Sequence, residues 1–196
     1  INETSGNLSL YQVGTGATGT AFIAAAGGSI VDGNPTAENI VSGKTFLFAS
    51  GNIGAADAPI ITRIGNVEGQ STGGNAWLNN NGVLVVGGVV PGSSSGISTS
   101  GQVVLGSNSP LIVTESILAS GGIILTSRDD PNDSGSVYDS DGPDHLIIKK
   151  GVSLTASGDI VLRAGDDLLI ETGASVTAND ADVLLYIDYS ATDASD

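Results

Sequence analysis

The chain has 196 residues and a formal charge of −15, with 29 glycines, three phenylalanines, one tryptophan and neither cysteine nor methionine. That length suits one domain with a real core, yet so few aromatics exclude a broad aromatic core and leave small branched aliphatic side chains to fill a narrow one. The acidity disfavours nucleic acid, whose binding runs on basic residues and counterion release, and an anionic membrane surface; no apolar run is long enough to span a bilayer.

Taken in chain order, the first 26 residues diverge from the rest. Strand-like Leu8–Val13 precedes Gly14, Gly16 and Gly19, which have the G-x-G-x-x-G spacing, with Asp32 further on. A dinucleotide site needs a helix after those glycines to receive the pyrophosphate. Only the residues from Thr20 to Ala26 stand before Gly27-Gly28, two helical turns at most, so the spacing is read as chance in a glycine-rich chain. Ser42-Gly43-Lys44-Thr45 resembles the end of a phosphate-binding loop, but the first glycine of that motif would fall on Glu38.

From Phe46-Leu47-Phe48 onward the apolar residues come in short bursts: Val83–Val86, Val103–Leu105, Leu111–Val113, Ile123–Leu125, Ile160–Leu162 and Val183–Leu185. Gly, Ser, Asn and Asp separate them. No window holds a sustained 3.6-residue stripe, so helices should be few, and β-branched bursts between turn signals predict strands.

The bursts repeat. Ile97–Leu105 aligns with Ile117–Leu125 at an offset of 20, and that block aligns with Leu154–Leu162 at 37. Asp144–Ala156 falls on Asp166–Ala178 at 22, and Ala76-Trp77-Leu78 falls on Val103-Val104-Leu105. A unit of 20–23 residues with three short strands and glycine or asparagine corners can coil, each copy lying on the one before. Inward side chains then stack in columns, and insertions fall at corners, where the ladder survives them. The expected fold is all-β, a single parallel β-helix over residues 1–196. Leu105, Leu125, Leu162 and Leu185 should share one inward column. Ile123, Ile160 and Val183 should form another two residues earlier, because same-face residues recur at period two. Ile124, Val161 and Leu184 then point outward or into a second contact.

Two stretches carry a resemblance. Asn39–Ile60, continued by Gly74–Gly88, and Ser157–Asp188 resemble the repeats of filamentous-haemagglutinin-like bacterial exoproteins. The similarity runs from about Gly27 to the end. It implies a right-handed β-helix in the shaft of a secreted or surface-attached adhesin, with no catalytic residues. The first 26 residues lack the family pattern and its secretion-signal cap. With no initiator methionine, the chain reads as an internal segment of something longer.

Residues 128–145 form an acidic insertion. Residues 128–196 hold fifteen acids and four bases, against six and two in residues 1–127. Asp139, Asp141 and Asp144 alternate around Gly142, and alternation lets one loop aim several hard oxygens at a calcium ion. The EF-hand spacing fails, since its closing glutamate would fall on Lys150. These aspartates are weak calcium candidates beside the plain reading of a solvated acidic loop. His145, the only histidine, reads as polar surface at a corner. The bases Lys44, Arg63, Arg128, Lys149, Lys150 and Arg163 are spread thinly, and Tyr11, Trp77, Tyr138, Tyr186 and Tyr189 are the aromatics considered for stacking on sugar.

The expected function is a non-enzymatic structural shaft of an extracellular or cell-surface adhesin or fibre, without a cofactor. Its partners would be adjacent repeats or neighbouring subunits end to end, and neither nucleic acid nor membrane insertion is expected. The alternatives are a carbohydrate-active or carbohydrate-binding β-helix and a calcium-stabilised spacer or self-assembling filament subunit.

Overall fold

A computed structural model describes residues 1–108, 110–128 and 144–189. Among the described residues there are 19 strands, all short or bent, every strand pairing is parallel, and no helix occurs. The strands wrap about 302° round a common axis, which makes the chain a parallel β-helix.

One column runs through every level. Leu8, Ile30, Ile53, Ala76, Val103, Ile123, Ile160 and Val183 pair successively, so the described rod has eight levels. At a strand spacing of about 4.8 Å this gives a ladder about 34 Å tall. The offsets between levels are 22, 23, 23, 27, 20, 37 and 23 residues. The two long ones contain segment 87–94 and the acidic insertion.

The corner before this column explains the repeat. It reads Ser5-Gly6-Asn7, Gly27-Gly28-Ser29, Ser50-Gly51-Asn52, Gly73-Gly74-Asn75, Ser100-Gly101-Gln102, Ser120-Gly121-Gly122, Ser157-Gly158-Asp159 and, at the last level, Asp180-Ala181-Asp182. The polar side chain of one level accepts the backbone N–H of the same position on the next. Asn7 Oδ1 accepts from Ser29 (2.9 Å), Ser29 Oγ from Asn52 (2.9 Å), Asn52 Oδ1 from Asn75 (2.9 Å) and Asn75 Oδ1 from Gln102 (2.6 Å). Each amide lies flat against the glycine above it. A Cβ on Gly74 would sit 2.2 Å from Asn52 Oδ1, and one on Gly101 2.3 Å from Asn75 Oδ1. Glycine is therefore required by close approach at Gly74 and Gly101, whereas the last level carries Ala181 in this place. The first triplet places a full corner inside the divergent N-terminal stretch.

The glycine-rich run does not make a nucleotide site. Gly14, Gly16 and Gly19 lie in the strand Val13–Ala25, which pairs with Ile40–Ala49 through two register shifts. Residues 20–25 continue that strand, where a dinucleotide fold would need a helix. Asp32 closes the next turn by accepting from Asn34 N (2.6 Å) and Asn39 Nδ2 (2.7 Å).

The leucine column forms as expected. Ile60, Leu78, Leu105, Leu125, Leu162 and Leu185 pair in sequence, and those from Leu105 to Leu162 are fully buried. The middle residues take both of the expected outcomes. Ile124 and Leu184 are partly exposed outside, whereas Val161 is buried yet stands outside the main core. A neighbouring buried column is polar: Thr62, Asn80, Ser107 and Ser127. Asn80 satisfies the turn after it, accepting from Thr62 Oγ1 and Ile64 N (both 2.9 Å) and donating to the carbonyls of Gly82 and Val83.

The last level has no cover among the described residues. Val183 and Leu185 hold inward positions yet are 42% and 51% exposed. Leu162→Ala should therefore cost about 2–5 kcal/mol, since a rod one side chain wide cannot collapse round the cavity. Leu185→Ala should cost under about 1 kcal/mol, because half of that side chain already meets water. Urea denaturation of the two variants checks the pair, and equal losses would overturn the column. Gly101→Ala should destabilise by about 1–3 kcal/mol through overpacking. In an Asn75→Ala background the amide is gone, so the glycine penalty should shrink in a double-mutant cycle.

Candidate functional site

The outer faces carry what the repeat does not require. On one of them Phe22, Phe46 and Glu68 pair in a column, beside Ala24, Phe48, Gln70 and Ser98. Leu47 points inward and is 1% exposed, so period two puts both flanking phenylalanines outside. Phe22 is 57% exposed, and its ring lies 6.2 Å from that of Phe46, tilted by 36°.

Segment 87–94, the insert of the fourth turn, folds over this face as a strap. Gly87, Gly88 and Gly92 have φ of 116°, 73° and 80°, and these left-handed turns let it leave and rejoin the wall. Side chains from three other turns hold it. Glu68 Oε1 accepts from Val89 N (2.5 Å) and Val90 N (2.9 Å), and Glu115 Oε1 accepts from Gly88 N (2.9 Å). Asn66 Nδ2 donates to Gly87 O and Lys44 Nζ to Gly88 O, each at 2.7 Å. Two carboxylates thus cap three consecutive N–H groups, while an amide and an ammonium take the two preceding carbonyls. Glu68 is only 1% exposed, and these contacts satisfy a charge that would otherwise be costly to bury.

Between strap and wall lies a groove of about 410 Å³. Phe46 forms one side, Val90, Ser93 and Ser95 the other, and Gln70 and Ser98 the floor. Apart from the buried Glu68, apolar and uncharged polar groups converge here, as in small-molecule sites.

The calcium candidates separate. Asp139 and Asp141 lie outside the described residues. Asp144 is 2% exposed in the wall, where its N–H donates to Asp166 Oδ2 at 2.9 Å. No group of three metal-ligating side chains occurs among the described residues. His145 stands at the corner, its Nδ1 accepting from Asp167 N at 3.3 Å.

Of the aromatics considered for sugar stacking only Tyr186 and Tyr189 meet, edge to face at 6.4 Å. Tyr186 and Tyr189 flank Arg163, whose guanidinium carbon is 5.8 and 5.2 Å from their ring centres. Tyr11 is exposed near the other end, Trp77 is half-buried on a different face, and Tyr138 lies outside the described residues. The groove aromatic is Phe46, which sequence reasoning treats only as one residue of an apolar burst. The signal is present all the same: in Phe-Leu-Phe, one inward leucine commits two rings to the exterior.

Glu68→Ala should cost about 1.5–3 kcal/mol, the range for hydrogen bonds to a charged group. Hydrogen exchange should quicken at Val89 and Val90 before it does in the wall, and unchanged exchange there would overturn the strap's anchoring. A second pair ties neighbouring turns: Lys149 Nζ donates to Glu171 Oε1 at 2.7 Å and Lys150 N to Oε2 at 2.9 Å. Those bonds hold the Glu171 carboxyl below its ordinary value of 4.5. The stabilisation is present above that value and is lost as pH falls through the lower folded one. NMR titration of Glu171 should show a depressed midpoint that moves up in Lys149→Met. Comparison with known proteins brings no match: no family model, no curated protein and no solved structure aligns with this chain.

Proposed function

We propose that the chain is a non-enzymatic rod, a shaft segment of an extracellular or cell-surface bacterial adhesin or fibre. Its ends meet further turns of the same protein or of a neighbouring subunit.

The observation that carries this reading is that no described residue covers the last level. Val183 and Leu185 stand directly over Ile160 and Leu162 in columns that are otherwise closed, and Ile170, 38% exposed, tops another. A further turn in register would finish these columns and pair the open strand edges, which are sticky when left free. The resemblance of the repeats to filamentous-haemagglutinin-like exoproteins supports the surface location. The stiffness a spacer needs follows from backbone ladders on every wall.

One added turn tests the reading. A designed 22-residue unit, copied from residues 144–165, replaces residues 190–196. In register it should raise the denaturation midpoint, adding about 1 kcal/mol for each half-exposed aliphatic side chain it covers. It should also abolish concentration-dependent end-to-end association in sedimentation velocity. The same unit shifted by one residue turns its apolar side chains outward and should do neither. If the in-register turn changes neither stability nor association, the reading fails.

A further inference from the structure

We propose that the groove between the Phe46 wall and the strap binds a neutral glycan, with a pyranose ring stacked on Phe46 and its hydroxyl rim on Gln70 and Ser98.

Folding does not account for the phenylalanines. The core is built of Ile, Leu, Val and Ala, and burying a phenylalanine is worth about 1.5–3 kcal/mol. Yet all three in the chain lie on the outside of two adjacent turns, Phe22 with more than half its surface in water. Three rings gathered on one outer face, the first more than half exposed, mark a contact surface more strongly than the single aliphatic side chains exposed elsewhere, such as Leu118 and Leu169.

The groove's chemistry narrows the ligand. It opens on the face of a sheet, where the main-chain groups are already used in the ladder, so an extended peptide cannot add a strand there. Recognition falls to side chains: an aromatic wall beside an amide and the hydroxyls of Ser95 and Ser98, the Ser93 hydroxyl being engaged with the Ser95 backbone. A ring with one apolar face and a rim of hydroxyls matches that set. Its polarised C–H groups meet the negative face of the phenyl ring, and its hydroxyls meet donors and acceptors of similar strength.

Charge excludes the acidic and basic alternatives. Of the lining residues only Glu68 is charged, and its Oε1 accepts two strap amides in a buried position. Lys44, the nearest base on this face, is held by Gly88 O. A uronate or sulfate would find no cation offered to it, and a basic ligand no free carboxylate. The next ring, Phe22, lies just outside the groove lining, one turn away with its centre 6.2 Å from that of Phe46, so a chain lying along the axis would meet both rings.

Affinity electrophoresis of the chain through gels containing β-glucan, mannan, xylan or galactan tests the proposal, with alginate as the acidic control. At least one neutral polysaccharide should retard the protein, and high salt should leave the retardation unchanged. Calorimetry with the matching hexasaccharide should then show affinity falling about tenfold in Phe46→Leu, which keeps the apolar volume and loses the ring face. Phe46→Trp should retain it. Ser98→Trp, which fills the groove from an outward position, should abolish it, and supplies the test independently if Phe46→Leu unfolds. The proposal is overturned if no neutral polysaccharide retards the protein, if only alginate does so in a salt-sensitive way, or if folded Phe46→Leu and Ser98→Trp bind like the parent. It is overturned equally if the sole effect of these substitutions is to break a dimer formed without glycan.

Discussion

Every turn must close at the same corner, or the parallel ladder cannot continue. At most levels that constraint falls on two adjacent positions, a residue with no Cβ and a residue with a polar side chain, the exceptions being Ala181 and Gly122. The glycine lets the amide of the level below lie against the backbone, as Asn75 does beneath Gly101. The amide accepts the N–H that begins the next strand. Only then do the inward residues two and four places on fall above their counterparts. Asn-type side chains suit the role because their carbonyl is fixed at the right reach and carries no charge to bury.

Because closure is local to the corner, length elsewhere is free. The turn carrying the strap is seven residues longer than the 20-residue turn after it, yet Val103–Ser107 keeps full register with the levels before and after, and only the strand leaving the strap shifts by one residue, at Ser95. The strap is nonetheless ordered against the wall by Glu68, Glu115, Asn66 and Lys44. An insert needing only to be tolerated would not recruit two carboxylates and an ammonium from three other turns. Their placement shapes a cleft on a wall that would otherwise be flat.

The exterior and the ends face opposite demands. A net charge of −15 keeps rods apart side by side. The uncovered aliphatic positions at the last level favour contact along the axis, where hydrophobic burial and open strand edges act together. These two features together are what the proposed shaft would need.

The sequence by itself determined the fold class, the repeat length and most of the register. Stacked turns must present the same inward pattern, and that necessity writes the 20-, 22- and 37-residue offsets and the leucine column directly into the order of residues. The first corner, Ser5-Gly6-Asn7, is hidden in the sequence because the strand between it and the next copy carries two register shifts that blur the period. The groove was legible only in part. Alternation in Phe46-Leu47-Phe48 separates the leucine from the two rings, but which side is core depends on Ile23 stacking with Leu47 from another turn. The strap's partners lie 21 to 44 residues away, at distances set by how many residues each intervening turn happens to contain. Tertiary structure alone decided those meetings, because coiling converts a count of residues into neighbourhood, and insertions change the count without changing the coil.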